Sequence, residues 1–252
     1  MSTKTATTTI KLAETGQSAV FTQPKTNWDA IHGRVDAALS LKPIVDIVAS
    51  TLPNIHALIA VCETWKASTF DALQYQAEAM GDTANLVITS YTLLQDLTDT
   101  LDPTAPLTPE QKAAAMGFFL PLSIAVNKRK EALDAVGVEI EAFLKENAIT
   151  DARLIQIKDA LGPEWSSIAP ETGEVGRATQ TLTGAWRAVA FDLHSVADGK
   201  VELTTPFMIG LALTEAIAAW QALGREAKDF LSVSNQHLSE RRTALFRSAE
   251  PA

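Results

Sequence analysis

Catalysis or metal binding in this 252-residue chain would have to draw on a small stock of side chains. Four histidines, His32, His56, His194 and His237, are scattered along it, and none belongs to a His-Glu-x-x-His motif or to the Glu-x-x-His pair of di-iron bundles. Asp96, Asp99 and Asp102 repeat at a spacing of three, which sets them along one helix edge in reach of a divalent ion. At the end of a long exposed helix, however, carboxylates oppose the dipole and usually just stand in water. Cys62 is the only cysteine, so an intrachain disulfide and a thiolate metal cluster are excluded. It falls on an apolar seam, where a thiol packs as a small hydrophobe. Phosphate-loop, dinucleotide-loop and nucleophile-elbow patterns are missing, and an all-α chain lacks the strand-to-loop settings they need. No catalytic residue, metal or cofactor is therefore expected.

What remains is surface chemistry. The two most apolar stretches are Ala113 to Val126 and Phe207 to Trp220. Each is too short for the roughly twenty apolar residues of a membrane span and of a length that commonly means a core helix. Within the first, Met116, Gly117, Phe118, Phe119, Leu120 and Pro121 form a short, proline-kinked apolar segment and the leading candidate for membrane or partner contact. Phe207, Met208 and Ile209 are a second candidate. Trp65, Trp186 and Trp220 sit on or beside helical seams and read as core, whereas Trp165 lies in a Pro/Gly/Ser loop and is expected to be exposed.

The elements that must position these residues are long helices. Leu52, Ile55, Ile59, Cys62, Thr69, Leu73, Ala77, Met80, Ala84, Val87, Tyr91, Leu94 and Leu101 lie three, four or seven residues apart along one line. The spacing predicts one helix of about fifty residues, roughly 75 Å long, opened by Pro53 in its first turn. Before it, Asn27 is placed to cap a helix carrying Trp28, Ile31, Val35 and Leu39, continued after Lys42-Pro43 by Ile44, Ile47 and Val48. After the stop at Asp102–Pro106, Thr108-Pro109-Glu110-Gln111 reads as a cap, a first-turn proline and a capping-box glutamine. A seam of Leu122, Val126, Leu133, Val136, Ile140 and Phe143 follows, with a kink or division expected at Pro121 and an end at Asn147. A short helix over Thr150–Leu161, a loop from Gly162 to Gly173, a helix from Val175 to Val196 closed by Asp198-Gly199, and a last helix opened by Thr204 or Thr205 with Pro206 complete the chain. Ile209, Leu213, Ile217, Trp220, Leu223, Ala227 and Phe230 form the stripe of that last helix.

The expectation is an all-α fold, an elongated bundle of four to five long antiparallel helices. Residues 1–26 read as a flexible N-terminal tail, 27–235 as a single bundle domain and 236–252 as a charged C-terminal tail. A net charge of −9 repels nucleic acid. Met1–Gln23 is polar and Thr-rich with no apolar core of a secretory signal. The protein is expected to be soluble, and either secreted by a route without a recognisable signal peptide or cytoplasmic.

The order of features resembles a family. Leu41-Lys42-Pro43, Leu52-Pro53-Asn54-Ile55, Thr64-Trp65-Lys66 and the stretch Asn85–Tyr91 are similar to the second-helix region of the cytolysin A type α-helical pore-forming toxins, with the haemolysin BL and non-haemolytic enterotoxin components nearest. Ser123–Asn147 with Phe143, and Ala216–Leu231 with Trp220, follow the same pattern, so the resemblance covers Lys42 to Leu231. It implies a virulence-associated, pore-forming toxin system with other toxin subunits or a self-oligomer as partners, and contact with the target-cell membrane. One departure bears on that role. Where the family inserts an apolar membrane-entering head, Ile149–Thr172 carries Asp151, Arg153, Lys158, Asp159, Glu164 and Glu171. Each charge at mid-bilayer costs about 2.5–3.5 kcal/mol, so the head is reduced or absent and an accessory, non-inserting subunit is implied. The other reading, from a different class, is a structural or scaffolding bundle with no toxin role.

Overall fold

The structure, a computed structural model, describes the backbone of residues 20–156 and 169–248 and the side chains of residues 20–153 and 171–234. Its helices are α1 (Lys25–Ser40), α2 (Val45–Ala49), α3 (Ile55–Thr64), α4 (Phe70–Asp99), α5 (Pro109–Gln156), α6 (Ala169–Ala197), α7 (Thr205–Ile209) and α8 (Leu213–Ser248). The described chain contains no strand, and the protein is an all-α helical bundle. Two compact units divide it. Of the described residues, the first takes Ala79–Glu131 and Thr183–Arg225, and the second takes 20–78, 132–156, 169–182 and 226–248, so α4, α5, α6 and α8 each contribute to both.

Every residue of the predicted Leu52–Leu101 seam is buried. The helix that carries it is continuous from Ile55 to Asp99, with Trp65–Thr69 wound as a π-turn between α3 and α4. The extra residue of a π-turn lets neighbours share a face, and Trp65, Thr69 and Phe70 all point inward here. Pro53 is not in the first turn. It stands in the turn before Ile55, and Asn54 makes no cap bond; its side chain donates instead to Thr150 Oγ1 at 3.0 Å and to the Glu146 carbonyl at 3.2 Å.

Other boundaries also differ from the sequence reading. α1 starts after Pro24, so Asn27 lies inside it and its amide donates to Gln23 and Glu174, each at 2.8 Å. Val20 and Phe21 are buried, so order begins ahead of residue 27. Ile44, Ile47 and Val48, expected on the apolar face, are not buried, and Ile47 is 74% exposed. A 3-10 turn at Lys42–Ile44 and the five-residue α2 turn that stretch away from the line of α1. α5 runs unbroken past Pro121 and past Asn147 to Gln156, which replaces the expected division and the separate helix at Thr150. Between α7 and α8 the expected single helix is broken at Gly210–Ala212, because Gly210, the poorest helix former after proline, ends the short turn begun at Pro206.

Several termini follow the sequence closely. Thr108 Oγ1 accepts from Gln111 N at 3.2 Å while Thr108 N donates to Gln111 Oε1 at 2.8 Å, a complete capping box. Thr204 Oγ1 accepts from Phe207 N at 3.3 Å. Gly199 takes φ +69° after α6, the left-handed conformation open to glycine, and Lys200 N closes the helix onto Ser195 O.

In the first unit, α4 and α8 run antiparallel. Ala84 lies beside Gly224, where an added Cβ would come within 3.4 Å, and Gln95 donates to Thr214. Met80, Val87, Leu94, Phe119, Leu122, Val126, Val189, Leu193 and Leu223 fill its core, with Trp186 and Trp220 edge to face at 5.3 Å. In the second unit, α3 and the start of α4 run antiparallel to α5. The sequence of contacts is Asn54 to Thr150, Trp65 against Phe143 at 4.4 Å, and Thr69 to Glu139 at 2.6 Å.

Candidate association surface

The buried titratable groups are the first place to look for chemistry. In the second unit Arg34 Nη2 donates to Asp151 Oδ1 at 2.9 Å, with both side chains almost wholly out of water. A buried pair of this kind fixes α1 against α5 and offers no free acid or base. Cys62 is buried nearby, and burial pushes its thiol up to about 12, against a smaller opposite pull from Arg34. With no exposed surface, it packs as a small hydrophobe. In the first unit the Tyr91 phenol is raised by burial first and by Asp192 second. Asp102 is lowered by hydrogen bonds from the Thr104 side chain and backbone, and Asp198 by Lys200 and His194. Both are exposed residues at helix ends.

Of the histidines, His32 packs edge-on to Phe70 at 4.5 Å, while His56 and His194 face solvent. The side chain of His237 lies outside those described. Among the described residues no group of His, Cys, Asp and Glu is placed to hold a metal ion. A cleft of about 400 Å³ opens between the Pro103–Leu107 connection and Glu202–Pro206, held by Thr205 Oγ1 donating to Ala105 O at 2.6 Å. Its polar lining is Thr104, Lys112, Glu202, Thr204 and Thr205.

The apolar segment at the start of α5 is a different matter. The capping box sets the rotation of the helix, and from there Ala115, Phe119, Leu122 and Val126 turn into the core of the first unit. Their opposite face carries Ala113, Gly117, Leu120, Pro121 and Ile124, all exposed, with Leu120 at 51% and Ile124 at 64%. The hexapeptide Met116–Pro121 is therefore split. Phe119 is core, Met116 and Phe118 are half-buried, and only Gly117, Leu120 and Pro121 face out. Ile124, outside that hexapeptide, is the most exposed large apolar residue of the face. Its spacing, four residues beyond Leu120 and seven beyond Gly117, is the signal that finds it.

Pro121 fits this face for a physical reason. Its missing N–H leaves the Gly117 carbonyl without a helical donor, and the exposure of Gly117 lets water supply one. In the second candidate, Met208 is buried, Phe207 half-buried and Ile209 exposed, so the short α7 is anchored by Met208 together with the buried Thr205. Trp165 lies outside the described residues. No described helix is long and apolar enough to cross a membrane. No family model, curated protein or solved structure matches the chain.

Proposed function

We propose that this protein works by association rather than catalysis, through the outward apolar face of α5 between Ala113 and Ile124. The observation that carries the reading is the pairing of Leu120 and Ile124, half or more exposed, on a face otherwise made of Ala, Gly and Pro. Single exposed leucines are ordinary; neighbouring ones without a charge between them mark contact surfaces. Covering them would contribute roughly 1–2 kcal/mol each. In its finer form the reading is an accessory component of an α-helical pore-forming toxin system. There the face docks on a partner subunit, and an intramolecular helix contact is exchanged for an intermolecular one during assembly. The resemblance of Lys42–Leu231 to that family supports the finer form. The other reading is a scaffolding bundle that binds neither lipid nor toxin partners.

Liposome co-flotation with dye release, run beside pull-down with the products of adjacent genes, tests the proposal. Association with a partner or with vesicles that is lost in Leu120→Glu and Ile124→Glu, at unchanged melting temperature, is the expected result. Binding indifferent to both substitutions, or no association in any mixture, overturns it.

A further inference from the structure

On the second unit's stretch of α5, Leu133, Val136, Ile140, Phe143, Asn147 and Thr150 face inward. The opposite side carries Ala135, Val138, Ala142, Lys145, Ile149 and Ala152, spaced three, four, three, four and three residues apart. Val138 is 67% exposed and Ile149 45%. That is the spacing of a coiled-coil seam turned to solvent, with one lysine as its polar member. We propose that this seam is the self-association surface of the protein, pairing antiparallel with the same seam of a second copy.

The order of side chains selects that occupant. With a two-fold axis between residues 143 and 144, Ala135 meets Ala152 of the second copy, Val138 meets Ile149, and Ala142 meets Lys145, each contact occurring twice as an isologous interface requires. The small Ala142 leaves room for the lysine stem. Glu141, exposed beside Ala142, then stands next to the incoming ammonium, so each copy's cation is matched by the other's carboxylate, while the half-buried Glu146 accepts from Asn54 Nδ2 at 3.4 Å. A parallel pairing would set Lys145 against Lys145 and is disfavoured by the same charges. From Ala135 to Ala152 the seam is about 25 Å long, short for a permanent dimer, so a concentration-dependent equilibrium is expected. The proposal uses a different stretch of α5 from the association face and does not rest on it.

Engineered cysteines in the full chain read the register directly. Val138→Cys combined with Ile149→Cys should give one disulfide-linked dimer band under mild oxidation. An intrachain bond is out of reach, because eleven residues of helix separate the two sulfurs by roughly 16 Å. Val138→Cys alone should stay monomeric for the same reason, and Cys62 is buried away from the reaction. Sedimentation across a hundredfold concentration range should show dimer in the wild type and at least a tenfold weaker dimer in Lys145→Glu, with unchanged helical melting. A strict monomer throughout, or a single-cysteine variant that cross-links as readily as the double, overturns the proposal. Leu120→Glu leaves all of these readouts unmoved if the two faces are independent.

Discussion

The two units are held together by different means. The core of the first is aliphatic around Trp186 and Trp220, and its connections are fixed at their ends by proline and a complete capping box. The second unit buries Arg34, Asp151, Asn147 and Thr150 beside an aromatic cluster in which Trp28, Phe70 and Phe230 meet within 6.3 Å. Apolar packing tolerates exchange of one shape for another. A buried charge held in an ion pair allows few alternatives, so the second unit specifies its helix register more tightly and is the more fragile to single changes.

The largest effect should come from Asp151→Ala, which leaves Arg34 buried without this partner. A loss of about 3–5 kcal/mol in urea unfolding is expected, while Arg34→Met combined with Asp151→Leu should recover most of it. If the double variant is as damaged as the single, the contrast between the units is broken. Thr108→Ala, in the first unit, should cost about 1 kcal/mol through the lost cap, seen in the same experiment. Ile124→Glu should change stability by no more than about 0.5 kcal/mol, as an exposed position does.

The smallest effect lies in the pH dependence. A raised folded pKa means that the neutral form is favoured by folding, so the stability from Cys62 is present below pH 9 and is lost progressively as pH rises toward about 12. Tyr91 acts in the same direction from the first unit. Comparing unfolding midpoints between pH 9 and 12 in Cys62→Ala and Tyr91→Phe assigns the slope to one unit or the other. A slope unchanged in both variants would place its origin elsewhere.

Much of this architecture is legible in the sequence because burial on one face repeats every three or four residues. The seams of α4, α5 and α6 can be read from apolar spacing alone, and so can the Thr108–Gln111 box, where four residues carry the whole signal. The π-turn at Trp65–Thr69 is not legible, since it arises when Trp65, Thr69 and Phe70 all find room in one core. The pairing of Arg34 with Asp151 joins residues 117 positions apart, which no local pattern announces. The Met116–Pro121 segment shows the converse limit. Its apolarity is plain in the sequence, but dividing it into Phe119 inside and Leu120 outside needs the helix phase set by Thr108.

The π-turn has a consequence for insertions and deletions. It works as a one-residue phase correction between two stretches of otherwise regular helix. Deleting any one of Lys66, Ala67 or Ser68 would let an ordinary α-helix run straight through, with better local geometry. The lost residue and the narrower turn cancel, so Leu73, Ala77 and Met80 would keep their inward direction and the damage would be confined to the face that Trp65, Thr69 and Phe70 share. At this place a chain one residue shorter would keep the register of the long helix and lose only the shared aromatic face, so the extra residue serves the local core and the rest of the helix does not depend on it.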